Sequence, residues 1–283
     1  MCNSRLANKV AIITGSGRRS SGEIGLGYAT AIKMATHGAN VIVADISDEN
    51  AHRTVSAISS EGYIAEAFIG DLTNTDAIRR MVEQADKSYG GLDILVNNLG
   101  YFAPRDKARP RGVTGLTKDG FYEAVEHNLA SAVFASRHAI PSMIKSGGGS
   151  IINVSSIDGI SAARSYSVDY GVTKGALHML TKTTAAFHGR DGIRCNCIAP
   201  GHVKASFVDD ISDDLHERRR KVAPLGTEGT PWDVANLAVF LASDESRWIS
   251  GVTIPVDGGL MSEQPLLGQE FVNDMNLTAD KRS

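Results

Sequence analysis

The stretch Val10-Ala11-Ile12-Ile13-Thr14-Gly15-Ser16-Gly17-Arg18-Arg19-Ser20-Ser21-Gly22-Glu23-Ile24-Gly25-Leu26-Gly27 decides the fold. A short apolar, β-branched run ends in a glycine-rich turn, and a helical pattern begins at about Leu26. Glycines in such a turn let backbone N–H groups approach a pyrophosphate, and the helix N-terminus behind them adds a favourable partial charge. Glycine loops that merely turn are common, so a second feature is needed. Asp45 supplies it: 18 residues past Gly27 it closes the next apolar run, where a carboxylate accepts hydrogen bonds from an adenosine ribose. The competing role for Asp45 is a helix N-cap or turn residue.

Working outward, apolar runs recur at Val41 to Ala44, Ala65 to Ile69, Ile94 to Val96, Ile151 to Val154, Ile193 to Ile198 and Val252 to Val256. Helical patterns lie between them at Tyr28 to Thr36, Glu49 to Ser60, Thr75 to Tyr89, Phe121 to Ile144 and Val168 to His188. The alternation predicts an α/β fold: a Rossmann-like, doubly wound, mostly parallel seven-stranded sheet with helices on both faces. No repeat, low-complexity tract or linker divides residues 1–283, so one dinucleotide-binding and catalytic domain is expected. Two polar stretches, 101–117 and 202–230, follow strands at the carboxyl edge of the sheet, where ligands bind in open α/β folds. A tail from about residue 260 is expected to pack on another subunit.

Composition narrows the function classes. The chain has 283 residues, of which 42% are hydrophobic, 22% charged and 6% aromatic, which excludes a disordered or collagen-like protein. At this length roughly three quarters of the unfolded chain's surface can be buried, so neither disulfide nor structural metal is required. With 29 Lys and Arg against 32 Asp and Glu, the net charge is −3, and nucleic acid is not an expected partner. The cysteines, among them Cys195 and Cys197, lack a paired zinc spacing and read as reduced, buried thiols. Neither a signal peptide nor a membrane span is read, which points to the cytoplasm and no membrane partner. No His, Asp or Glu cluster has metal-ligand spacing, so no metal is expected.

The chemistry centres on Tyr170 and Lys174, four apart on one helix face. A phenol with an ordinary pKa near ~10 is a poor base at neutral pH, and an adjacent ammonium stabilises the phenolate. Alone, the pair is an ordinary helix-surface spacing. Its context is Ile151-Ile152-Asn153-Val154-Ser155-Ser156, which brings a hydroxyl to the edge of the sheet just before that helix.

With Asn97-Asn98-Leu99-Gly100 after the fourth strand and Asn128 in the long helix, the chain from about Lys9 to Gly259 resembles the short-chain dehydrogenase/reductase family. The resemblance implies Tyr170 as general acid/base, Lys174 as the residue that lowers its pKa and binds the nicotinamide ribose, and Ser156 as the hydroxyl that orients substrate. Ser155 is the alternative, because Ser156 lies fourteen residues before Tyr170 and the commoner family spacing is one shorter. Asn128 resembles the residue holding a water on the proton path. Cofactor contacts implied are Gly15, Ser16, Gly25 and Leu26 in the glycine loop, Asp45, the adenine-contacting pair Asp71 and Leu72, Asn98 and Gly100 with Asn97 steadying the sheet, and Pro200, Gly201 and Val203 at the carboxamide. Where the family usually carries Thr this chain has Ala205, with Ser206 next to it.

The glycine loop departs from the family pattern: nine residues, rather than three, separate Gly15 from Gly25, and the six extra are expected to bulge outward. Arg18 and Arg19 sit there and suit a ribose 2′-phosphate, whereas Asp45 repels one; NAD is the expected cofactor, with NADP the alternative. The reaction implied is hydride transfer between NAD(H) and a secondary alcohol or ketone, with a homotetramer or homodimer as the assembly. The alternatives are an NADP-dependent carbonyl or 3-oxoacyl reductase and a non-catalytic cofactor sensor. Arg105, Lys107, Arg109 and Arg111 suggest an anionic substrate, and Arg164 and His202 are further candidates to touch it. His178 and His188 read as packing or surface residues. The substrate stretches hold no motif that identifies a compound.

Overall fold

The computed structural model describes residues 4–20, 22, 24–102, 112–162, 168–205 and 212–262. Strands β1 (Val10–Thr14), β2 (Asn40–Asp45), β3 (Ala65–Ile69), β4 (Ile94–Asn97), β5 (Gly149–Val154), β6 (Ile193–Pro200) and β7 (Thr253–Val256) form one sheet in the order β3-β2-β1-β4-β5-β6-β7. Every pairing is parallel, which sharpens the expected "mostly parallel" sheet. Chain order reverses direction between β1 and β4, and a crevice opens there at the carboxyl ends of the strands.

Both faces of the sheet are covered, and period two in β1 divides the core between them. Ala11 and Ile13 pack with α1 (Leu26–Thr36) and α8 (Pro231–Ala242) through Met34, Val234 and Ala238. Val10 and Ile12 pack the other way, onto α3 (Thr75–Tyr89) and α5 (Ser131–Lys145) through Ile78, Met81, Ala135 and Met143. Each large side chain taken out of water contributes about 1.5–3 kcal/mol, so the strands that carry the crevice are firmly held. Helix α2 (Asp48–Ser60) starts at Ser47, whose hydroxyl accepts from Asn50 N at 3.3 Å, and α6 (Val168–His188) runs on from the crevice.

Two expectations are corrected. The single helix read over Phe121 to Ile144 is α4 (Lys118–Val125), a π turn (Glu126–Ala130) and α5. The wider turn carries Asn128 into the buried interior. The polar stretch 202–230 contains a helix, α7 (Asp213–Val222), capped by Ser212 through Leu215 N. Only Arg219 is buried on it, so no apolar period marked it.

The long glycine loop is tied down at its start, at Gly17, and beyond it Arg18, Arg19 and Ser20 are exposed. Gly17 N donates to Asp45 Oδ2 at 2.8 Å, Arg18 N to Asn50 O at 3.0 Å, and the Arg18 guanidinium lies 5.2 Å from the centre of the Tyr28 ring. A Cβ at position 17 would meet Asp45 Oδ2 at 2.7 Å, so only glycine allows this approach. Arg18 is thus held by Tyr28 and Asn50 while it stays exposed to solvent. The tail from residue 263 lies outside the described residues, as does most of the 101–117 stretch.

Candidate active site

The crevice is a cavity of about 370 Å³. Gly15, Gly25, Leu26, Asp45, Asn98 and Gly100 line its β1–β2–β4 end. Ser155, Ser156, Tyr170, Lys174, Pro200, Gly201, His202 and Val203 line the part bounded by β5, α6 and β6. Gly25 is the N-cap of α1 and offers no side-chain cap, which leaves the first helical N–H groups to other acceptors. Asn98 ties the two sides of the switch point together, its Nδ2 donating to Thr14 O and Gly15 O at 3.0 Å each. Asp45 lines the cavity and acts as a turn residue, Oδ1 accepting from Ser47 N at 3.0 Å and Oδ2 from Gly17 N.

On α6, Lys174 is fully buried. Its Nζ donates to Val154 O at 2.9 Å and lies 5.7 Å from the centre of the Tyr170 ring. Burial pulls the Lys174 pKa from its ordinary value down to about 8. Tyr170 is buried, and the ring of Phe102 stacks on it at 4.0 Å. The turn after β5 presses close to α6: a Cβ at Gly159 would meet Gly175 N at 2.7 Å.

The two serines are set apart by their partners. Ser155 Oγ donates to Lys174 O at 2.7 Å and lies 2.7 Å from His178 Nε2, so its hydroxyl is committed to α6. Ser156 Oγ accepts from Asp158 N at 3.1 Å and keeps a hydrogen to donate. The contact with Ser155 Oγ gives His178 a buried partner, and burial holds its pKa below the ordinary value. His188 meets Asp191 at 3.0 Å on the surface.

Other predicted residues stand off the cavity wall. Ser16 is buried with Oγ donating to Ile13 O at 2.7 Å. Asp71 caps its own turn through Thr73 N and Thr73 Oγ1, at 2.9 and 2.8 Å, and Leu72 faces the α3–α5 core. Asn97 donates to Asn153 Oδ1 at 2.8 Å inside the sheet. Asn128 holds the segment before Phe102: Oδ1 accepts from Tyr101 N at 2.7 Å, and Nδ2 donates to Tyr101 O at 3.0 Å and Thr173 Oγ1 at 3.2 Å. Arg105, Lys107, Arg109, Arg111, Arg164 and Ser206 lie outside the described residues.

The cavity wall also carries residues that sequence reasoning passed over. Phe102 had only its place after Asn97-Asn98-Leu99-Gly100 to mark it, and Asp158 only its place two residues after Ser156. Arg219 had no signal, because a basic run on a polar helix reads as a solvated face. Burial pushes the Asp158 carboxyl up to about 6, against the pull of the Arg219 charge. Cys195 and Cys197 are free and buried beneath the site, and burial raises their thiols to about 12 and about 11. Among the described residues no group of three or more His, Cys, Asp or Glu could hold a metal ion, and no helix is long and apolar enough to cross a membrane.

The family model described as enoyl-(acyl carrier protein) reductase matches residues 21–261. The chain is 35% identical over 268 residues to the 7alpha-hydroxysteroid dehydrogenase of Bacteroides fragilis, a match covering 93% of this chain and 98% of the relative. A crystal structure of a gluconate 5-dehydrogenase from Burkholderia cenocepacia, in complex with NADP and tartrate, superposes with a TM-score of 0.82 at 30% identity, over 93% of this chain and 99% of that one. The structure of a 7 alpha-hydroxysteroid dehydrogenase complexed with NADH and 7-oxo glycochenodeoxycholic acid gives a TM-score of 0.81 at 33% identity, over 91% of this chain and 96% of that one.

Proposed function

Because the chain belongs to the short-chain dehydrogenase/reductase family, and so is an NAD(P)-dependent oxidoreductase of alcohols and ketones, we propose that Tyr170, Lys174 and Ser156 carry its reaction and that NAD is its cofactor. The observation that carries this reading is the Tyr170–Lys174 pair, buried in the wall of the same cavity as the uncapped N-terminus of α1.

A dinucleotide fits the cavity. Gly15 and Gly25 would leave room for a pyrophosphate at the α1 N-terminus, the Asp45 carboxylate would meet the ribose, and Pro200, Gly201 and Val203 would hold the carboxamide. Bound there, it supplies the hydride acceptor for an alcohol or the donor for a ketone. In oxidation the Tyr170 phenolate takes the hydroxyl proton; in reduction the Tyr170 hydroxyl returns it to the carbonyl oxygen. The Lys174 ammonium favours the phenolate electrostatically, and Ser156 orients the carbinol oxygen by donating a hydrogen bond. Asn128 serves the site by fixing the backbone of Tyr101, next to the ring that stacks on Tyr170. NAD is preferred over NADP because the Asp45 carboxylate would repel a 2′-phosphate at close range.

The assembly proposed is a homotetramer. Val172, Met179 and Phe187 on α6 and Tyr122 on α4 expose apolar surface, and Val172 and Met179 are two turns apart on one face. The free thiols of Cys195 and Cys197 support a reducing, cytoplasmic setting.

Following nicotinamide absorbance across a panel of secondary alcohols, each with NAD and with NADP, tests the reaction. Turnover with NAD at a kcat/KM at least ~10-fold above that with NADP is expected, because about 1.4 kcal/mol of charge repulsion gives that ratio. Preference for NADP would reverse the cofactor assignment.

A further inference from the structure

The proposed reaction uses Ser156, Tyr170 and Lys174 but leaves unexplained three polar residues of the same wall: Asp158, His202 and Arg219. They form one electrostatic neighbourhood, since the Arg219 charge acts on both Asp158 and His202. Arg219 is the buried residue of an otherwise solvated helix, a costly place for a cation. The fold holds it there: Glu228 Oε1 lies 3.7 Å from its Nη1, and Glu228 Oε2 is fixed at 2.6 Å by His216 Nδ1. The segment bearing Glu228 is fastened to the loop after β6, with Gly229 N donating to His202 O and Lys204 N to Gly229 O, both at 2.9 Å.

Asp158 is tied to the chemistry from the other side. Its backbone N donates to Ser156 Oγ, so it stands one short turn from the hydroxyl that orients the carbinol. Its half-buried carboxyl receives no hydrogen bond among the described residues, and His202 Nδ1 is buried with no hydrogen-bond partner. The wall beside Ser156 therefore combines a carboxylate acceptor, an imidazole nitrogen and the cationic Arg219, which is paired with Glu228. A carboxylate ligand only accepts hydrogen bonds and would sit against the charge of Asp158. A hydroxyl both donates and accepts, which is what a wall of mixed sign asks for.

We propose that the substrate is a diol or polyol, and that a second hydroxyl beside the carbinol being oxidised donates to Asp158 and accepts from Arg219. This rests on the reaction proposed above, and it replaces the anionic substrate expected from the basic stretch 105–111. Asp158 and Arg219 are then specificity residues.

The test compares three substrates with the holoenzyme and NAD: trans-cyclohexane-1,2-diol, cyclohexanol and 3-hydroxycyclohexanecarboxylate. Wild type is expected to favour the diol over cyclohexanol by at least ~100-fold in kcat/KM, as sites built to bond a hydroxyl discriminate against its absence. In Asp158→Ala that ratio falls at least tenfold, and Arg219→Met lowers it in the same direction. NADH binding by fluorescence reports whether each variant keeps its cofactor site, and Asp158→Asn stands in if the alanine variant does not fold. Equal use of diol and cyclohexanol overturns the inference alone and leaves the reaction standing. Preference for the hydroxy acid, lost in Arg219→Met, overturns it in favour of a carboxylate. Failure of wild type to oxidise any of the three while NADH still binds overturns the reaction and this inference together.

Discussion

The two walls of the cavity are built on opposite terms. The α6 wall is anchored to the sheet: Lys174 bonds Val154 O, Ser155 bonds Lys174 O, and Gly159 lets the β5 turn touch the helix backbone. The α7 wall is an arm of charged groups, in which Arg219, Glu228 and His216 hold one another and a short bridge at Val203 and Gly229 joins them to the sheet. The difference teaches where each kind of function resides. A proton-transfer group must be placed to a fraction of an ångström, and a buried helix on a parallel sheet does that. Groups that choose among substrates can sit on a polar arm whose residues change without disturbing the core.

Breaking the first wall has the larger expected effect. Lys174→Met should lower kcat by about 10³-fold, because the phenolate loses its adjacent charge. It should also make the protein more stable. The fall of the Lys174 pKa from 10.5 to about 8 corresponds to about 3 kcal/mol, since each unit is worth about 1.4 kcal/mol. The sign follows from linkage: between pH 8 and 10.5 the unfolded chain binds more protons, so stability rises with pH there, and at pH 7 the buried ammonium exerts its full cost. Loss of the bond to Val154 O returns about 1 kcal/mol, leaving a net gain of about 2 kcal/mol and a rise of a few degrees in the thermal midpoint. A calorimetric scan of both proteins checks this, and a lower midpoint for the variant would show that the lysine is structural.

A smaller effect sharpens the same contrast. NAD affinity of wild type is expected to fall a few-fold as pH rises through about 8, where Lys174 loses its proton, and to stay level over that range in Lys174→Met. Fluorescence titrations from pH 6.5 to 9.5 would sink the idea if the wild-type affinity were flat. The α7 wall is expected to behave differently, with Arg219→Met changing substrate preference while Lys174 keeps its titration.

Much of the fold was legible because parallel strands buried on both faces read as apolar runs, and Val10 to Ile13 or Ile193 to Ile198 can scarcely be read otherwise. The α6 wall of the cavity was legible for a related reason: Tyr170 and Lys174 lie on one helix whose spacing fixes their shared face. Asn128 was read on the right segment, but a π turn carries no sequence period of its own. Helix α7 was invisible, since its folding depends on tertiary partners rather than an apolar stripe, and its buried residue is an arginine. In the glycine loop the residue count gave the extra length, and the exposed Arg18, Arg19 and Ser20 agree with it, but the hydrogen bond that ties Gly17 N to Asp45 had no sequence signal.

The central claim, that Tyr170 exchanges the substrate proton, is tested most directly by Tyr170→Phe, assayed for NADH binding by fluorescence and for alcohol oxidation by nicotinamide absorbance in one preparation. NADH affinity within about twofold of wild type, with kcat lowered by at least ~10³-fold, is the predicted result. Turnover within about tenfold of wild type, with the cofactor equally bound, would contradict it and move the proton transfer to another residue of the wall.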